Sequence, residues 1–169
     1  MSDFLLSQIL AGLAFVCGLV SFQFPGRRSV LIWLVLMSVF SAAHFFVLGR
    51  PGPAVIVVVG GLKFLTAVFS TNRQFMFFFL FATIVGFFWV YRSPLSFLTL
   101  VAGMLGTWGG FHPDEKTMRV AIMICTAIWI VHNVLAWTPV GAVMEIFILI
   151  SAIGGYRHHY AGEAYRREG

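Results

Sequence analysis

The sequence predicts an all-α membrane protein of seven transmembrane helices, arranged as two parallel three-helix repeats joined by a linker helix. Three observations carry that prediction. Of 169 residues, 60% are hydrophobic and only 10% charged, whereas soluble domains carry about 25% charged residues. The apolar residues fall into seven runs, at about 4–23, 29–48, 53–70, 74–91, 94–111, 118–137 and 140–157. Each run approaches the ~20 residues that a helix needs to cross a hydrocarbon core about 30 Å thick. Finally, the chain matches itself at one offset: Pro25, His44 and Pro51 recur 88 positions later as Pro113, His132 and Pro139, and Ala14 and Gly18 recur as Ala102 and Gly106. Apolar identities are cheap at this composition, but proline and histidine coincidences at a single offset are not.

Three spans reverse the chain, so two three-helix units share an orientation only if one more span lies between them. Residues 1–73 are therefore expected to form the first three-helix bundle, 74–92 the linker, 93–158 the second bundle and 159–169 a tail. This is the parallel-repeat plan of certain transporters. Asp3 and the absence of basic residues before the long first run mark it as a transmembrane helix rather than a cleaved signal peptide.

Span 1 carries Ala14 and Gly18, and span 5 carries Ala102, Gly106 and Gly110. Small residues at four-residue spacing let helix backbones approach closely in lipid, so both spans are expected at packing interfaces. Span 4 shows phenylalanine at every angle (Phe75, Phe77, Phe78, Phe79, Phe81, Phe87, Phe88), which resists close packing on all sides and favours lipid exposure. The prolines fall at span ends, where a missing backbone donor costs little.

Seven spans place Arg27, Arg28, Arg73, Lys116, Arg119, Arg157, Arg166 and Arg167 on one face and Arg50 and Arg92 on the other. The positive-inside rule makes the first face cytoplasmic, with the N-terminus outside and the C-terminus on the cytoplasmic side. The net charge of +5 thus reports topology, and no basic stripe suits nucleic acid. Cys17 and Cys125 lie in different spans without metal-ligand spacing, so neither a disulfide framework, a zinc site nor any other cofactor is expected. No nucleophilic triad or phosphate loop suggests an enzyme. The expected partners are the lipid bilayer and a small solute, and a homo-oligomer is compatible with the pattern.

Polar residues inside the spans are the candidates for function. Helical rise puts His44, His132 and Glu145 roughly 10 Å below the outer connections and Lys63 near the midplane. Thr126, Trp129 and Asn133 form one stripe on span 6 with His132 beside it; Ser38, Ser41 and Phe45, with His44, are its counterpart on span 2. A charge at mid-helix costs at least about 2.5–3.5 kcal/mol on insertion scales, so Lys63 and Glu145 are expected to face inward. Two readings follow. Lys63, Glu145 and the histidines line a solute path, with Glu145 or a histidine changing protonation; or Lys63 and Glu145 form a fixed buried pair while each histidine bonds a neighbouring helix. Trp129 is either a stacking platform for a ring-bearing solute or a core aromatic.

The stretches Ala43–Gly49, Thr107–Trp108, Thr117–Arg119 and above all Trp129–Asn133, followed by Met144 and Glu145, resemble the YgjV type of bacterial inner membrane protein. That type is similar in turn to the SWEET and PQ-loop membrane proteins, which implies two triple-helix bundles with a linker helix and a central cavity using Trp and Asn. Trp129 and Asn133 are similar in kind to those cavity residues. The chain departs from that group in having no Pro-Gln dipeptide and no proline inside a span, and Lys63 and Glu145 point to a charged or proton-linked solute. The expected function is a small-solute transporter in which Trp129, Asn133, His132 and His44 contact the solute and Lys63 and Glu145 supply charge or proton coupling. The rival is a non-transporting assembly or scaffold protein whose polar residues are structural.

Overall fold

Seven α-helices make up the regular structure of the described residues, 2–91 and 93–165 in the computed structural model. They are α1 (Asp3–Ser21), α2 (Arg27–Val47), α3 (Pro51–Phe69), α4 (Arg73–Val90), α5 (Ser96–Phe111), α6 (Glu115–Leu135) and α7 (Pro139–Tyr165). Five of them, α1, α2, α3, α6 and α7, are long and apolar enough to cross a membrane; α4 and α5 are apolar but shorter. The tail expected from residue 159 is helical as far as Tyr165. Arg92, Arg166 and Arg167, used above for topology, lie outside the described residues.

Local chemistry sets the helix ends. The Ser2, Asn72 and Asp114 side chains accept from the first-turn amides of α1, α4 and α6, the usual way to satisfy orphan donors. Thr117 donates to Asp114 through both its amide, at 2.8 Å, and its hydroxyl, at 2.6 Å. These bonds from Thr117 hold the Asp114 carboxyl below the usual carboxylate range. Pro51 and Pro139 open α3 and α7, where proline's fixed φ suits the first helical position.

The boundaries repeat. Helix α6 starts and stops 88 positions after α2, at 115 and 135 against 27 and 47, and α7 starts 88 after α3. The turns after α2 and α6 also coincide: the amides of Arg50 and Thr138 return to the carbonyls of Phe45 and Asn133. The residue just before each is left-handed, Gly49 at φ 65° and Trp137 at φ 53°. Glycine adopts this conformation freely, whereas a residue with a Cβ gives up about 1–2 kcal/mol. The second turn has extra support, because the Thr138 hydroxyl donates to the Asn133 carbonyl at 3.0 Å and to its side-chain oxygen at 3.1 Å.

Helix α2 lies between α1 and α3, and α6 lies between α5 and α7. The outer helices of each row pack across to the other row, α1 on α7 and α3 on α5, while α4 packs mainly on α5. The six helices other than α4 thus close a ring, α1–α2–α3–α5–α6–α7. The small residues expected at interfaces are there: Ala14 and Ala102 are buried at 4% and 1% exposure, as are Gly18, Gly106 and Gly110. On α4, Phe79 and Phe87 turn inward against Phe111 and Phe97, and the other phenylalanines face outward.

The main apolar core sits at one end of the ring. Phe22, Val30, Leu31, Leu34, Val68, Phe79, Phe111, Met118 and Ile122 cluster there, around the α1–α2 and α5–α6 connections. Toward the opposite end the fully buried positions are mostly small, Ser7, Ala42, Ala54 and Ala142.

Candidate functional site

Lys63 occupies the seam where α3 meets α5. Its Nζ donates to the Gly103 carbonyl at 3.4 Å and to the Thr107 hydroxyl at 3.3 Å, both long for charge-assisted bonds. Thr107 is itself fixed by donating to Gly103 at 2.7 Å. Among the described residues Lys63 has no carboxylate within ion-pair distance. The space beside it exists because residue 106 is glycine: a Cβ there would sit 3.7 Å from Nζ and 3.4 Å from the Cys125 sulfur. Cys125, on α6, donates to the Ala102 carbonyl at 3.2 Å, and it interacts with Lys63, Glu145 and Trp129 together.

The opposite seam, α1 against α7, uses positions 88 residues away from these with different chemistry. Ser151, 88 positions after Lys63, donates to the carbonyl of Leu19, which is 88 positions before Thr107, at 2.6 Å. Gln23 then donates to the Ser151 hydroxyl at 2.7 Å and carbonyl at 3.0 Å. Gly18, the counterpart of Gly106, faces Met37 and Ile148, where Gly106 faces Cys125 and Lys63. One seam is closed with short neutral bonds and apolar side chains; the other holds an amine, a thiol and a hydroxyl.

The remaining candidates divide between these surroundings and local structural roles. His44 Nδ1 bonds the Ser7 carbonyl at 2.8 Å, tying α2 to α1. Its counterpart His132 lacks such a bond: Nδ1 is buried with no hydrogen-bond partner among the described residues. The reason is visible in the chain, since α1 begins at Asp3 but α5 only at Ser96, so the turn that serves His44 has no helical equivalent. Trp129 packs edge-on against His132 with ring centroids 5.3 Å apart. Asn133 is held at the α6–α7 turn by Thr138 and lies against Gly141, about 12 Å along the helix from Cys125 at helical rise. The Asn133–Gly141 contact fixes the antiparallel register of α6 and α7, and it sets Glu145 level with Trp129. Glu145 has no hydrogen bond or ion pair among the described residues. Lys63 and Glu145 therefore do not form the direct pair that one sequence reading offered.

The end of the ring with the apolar core is fastened by two arginines that the sequence had sorted only as topology markers. Arg119, on α6 and fully buried, donates to the Phe22 carbonyl at 2.9 Å and the Phe24 carbonyl at 2.6 Å. Arg27, on α2, donates to the Gly110 carbonyl at 2.6 Å and the His112 carbonyl at 2.8 Å. Gly110 and His112 are the positions 88 after Phe22 and Phe24, so the carbonyls that the two arginines grip match at that offset, although the arginines themselves do not. Glu115 completes the knot by pairing with Arg119 at 2.8 Å and accepting from the Gly26 amide at 3.1 Å. A signal was present in sequence: Glu115 and Arg119 stand at i,i+4, with Arg119 one turn inside an apolar run. No group of three or more potential metal ligands occurs among the described residues, and His159 contacts the Gln23 carbonyl at 3.1 Å.

A family model described as a bacterial inner membrane protein, Imp-YgjV, matches residues 5–163. The inner membrane protein YgjV of Escherichia coli (strain K12) is 23% identical over 156 residues, which cover 90% of this chain and 84% of that protein. No solved structure matches the chain.

Proposed function

The chain belongs to the YgjV family of bacterial inner membrane proteins, and from that premise we propose that it is a small-solute carrier built as two three-helix repeats around a linker helix. In this reading all seven helices span the membrane in the SWEET-like 3+1+3 plan, α4 is the linker, and the arginine-rich end faces the cytoplasm. The coincident helix boundaries and paired seams support the duplication. The observation that carries the carrier reading is Lys63: an amine inside the ring, at a seam between the halves, with no carboxylate partner among the described residues. A buried charge is costly unless paired, so a permanently structural Lys63 would be expected to own a counter-ion. A site that receives its counter-ion with the solute would not.

Lys63 then binds an anionic group of the solute, Trp129 and His132 flank it, and Glu145 supplies a second charge or takes up a proton. His44 and Asn133 position helices and the outer turn. The two arginine clamps hold the cytoplasmic end shut, so solute enters from the opposite end, where buried side chains are smaller. The rival reading, a non-transporting scaffold, draws support from His44 and Asn133, whose bonds to Ser7 and Thr138 are fully explained as structural.

A thermal-shift screen of the purified protein against small acids, amines, vitamins, nucleosides and sugars separates the two. A ligand at 100 times its Kd stabilises the folded state by about 2.7 kcal/mol. The carrier reading predicts a stabilising acid whose effect disappears in Lys63→Gln. Stabilisation that survives unchanged in both Lys63→Gln and Glu145→Gln would overturn the proposed site.

A further inference from the structure

A groove of about 370 Å³ runs along the lipid-facing surface of α6, between α5 and α7. Leu105, Val120 and Ile124 form its apolar length, Trp108 and Tyr156 its two walls, and Lys116 and Thr117 its end toward the arginine-rich face. Lys116 is held at that rim with its Nζ 4.8 Å from the centre of the Tyr160 ring. Its floor is Ala121, which is 2% exposed.

The first half differs at the corresponding place. Its residue at the position of Ala121, 88 earlier, is Trp33, and that indole stacks on Phe24 with ring planes 5° apart and centroids at 5.9 Å. Lys116 corresponds to Arg28, so both positions carry a cation at this level, and beneath Lys116 lies the open apolar channel. A cation above an apolar channel at the end of a membrane helix is complementary to a single amphiphile with an anionic head and a hydrocarbon tail. Basic pockets between membrane helices recognise anionic headgroups in this way.

We propose that this groove is a binding site for one anionic phospholipid, with an acyl chain along Leu105, Val120 and Ile124, and its phosphate at Lys116. The lipid belongs to the leaflet at the arginine-rich face. The site faces away from Lys63 and does not depend on the carrier reading.

Native mass spectrometry of the full chain, released from mild detergent containing equal amounts of phosphatidylglycerol and phosphatidylcholine, tests it. The wild type retains one phosphatidylglycerol, several-fold in preference to phosphatidylcholine. Lys116→Gln abolishes the preference, Arg28→Gln leaves it intact, and Val120→Trp, at a position already 38% exposed, fills the channel and loses the adduct at an unchanged melting temperature. Equal retention of the two lipids by the wild type overturns the proposal. So does an equal effect of Lys116→Gln and Arg28→Gln, which would indicate diffuse attraction rather than a site. If Val120→Trp lowers the melting temperature, the two charge variants decide the matter alone.

Discussion

The α1–α7 and α3–α5 seams carry residues related by the 88-residue offset, yet the first is joined by shorter bonds than the second. At the first, Ser151, Gln23 and the Leu19 carbonyl make bonds of 2.6–2.7 Å beside Met37 and Ile148. At the second, Lys63 reaches Gly103 and Thr107 at 3.4 and 3.3 Å beside Cys125. The same offset relates the two joints, and a few differing positions along it give one of them an amine and a thiol. The difference comes down to a few positions, Lys63 against Ser151 and Thr107 against Leu19. It also explains why the polar residues that resemble each other most across the repeat, the histidines, are not the ones that set the seams apart.

The largest expected effect lies where both halves are bound equally. Arg119→Ala leaves two carbonyls and Glu115 without their buried cation, and breaking such a pair costs about 3–5 kcal/mol. Denaturation of the purified variant should show that loss, with a smaller one for the half-buried Arg27→Ala; equal and negligible losses would mean the clamps are not structural.

Next, glycine substitutions should separate the seams. A Cβ on Gly155 falls 2.2 Å from the Phe22 carbonyl oxygen, so Gly155→Ala forces α7 away from α1 and lowers the melting temperature. Gly106→Ala meets only ordinary contacts, at 3.4 Å and beyond. It should fold as well as the wild type or better, since alanine favours helix by about 1 kcal/mol, while shrinking the pocket. If Gly106→Ala unfolds the protein, the α3–α5 seam is as tight as its partner and the contrast collapses.

Lys63→Met is the third test. A purely structural amine would be missed, whereas an amine kept for a solute costs stability, so Lys63→Met should leave the melting temperature unchanged or raise it. A clear fall would favour the scaffold reading.

The smaller effects concern the turns and caps. Trp137→Gly relieves the left-handed backbone and should gain about 1 kcal/mol, whereas Gly49→Ala should lose a similar amount. Asp114→Ala should cost about 1 kcal/mol for the lost cap. Because the folded-state Asp114 carboxyl is lowered, its contribution is complete above the unfolded value near pH 4 and fades as pH falls through the folded one. A pH titration of wild type and variant should therefore converge only in acid.

Much of this frame was legible in the chain. Apolar runs located the helices because lipid demands long uninterrupted stretches, and Pro51, Pro139, His44 and His132 exposed the 88-residue offset because such residues rarely coincide by chance. The shortness of α4 and α5 was not legible, since apolar residues on both sides of a helix end look alike. Placing Asn133 in a solute path rested on residue type, but the left-handed Trp137 two residues past the helix recruits Asn133 and Thr138 as local supports, and backbone conformation does not show in hydropathy. Cys125 was set aside as a lone thiol, because its neighbours Lys63, Gly106 and Glu145 come from three other helices. The i,i+4 spacing of Glu115 and Arg119 hinted at one clamp, but the carbonyl contacts of both were hidden for a similar reason: a guanidinium binding carbonyls has no partner residue type to search for.

Cys125 offers the most direct test of the central claim, that the α3–α5 seam is open to solute from the end away from the arginine clamps. With the buried Cys17 replaced by serine, Cys125 is the only thiol left. A small membrane-impermeant methanethiosulfonate should modify it in sealed vesicles from that one face, and Lys63→Met should change the rate by removing the neighbouring amine. A Cys125 that stays unmodified from both faces of the folded protein, yet reacts once detergent has unfolded it, would contradict the account.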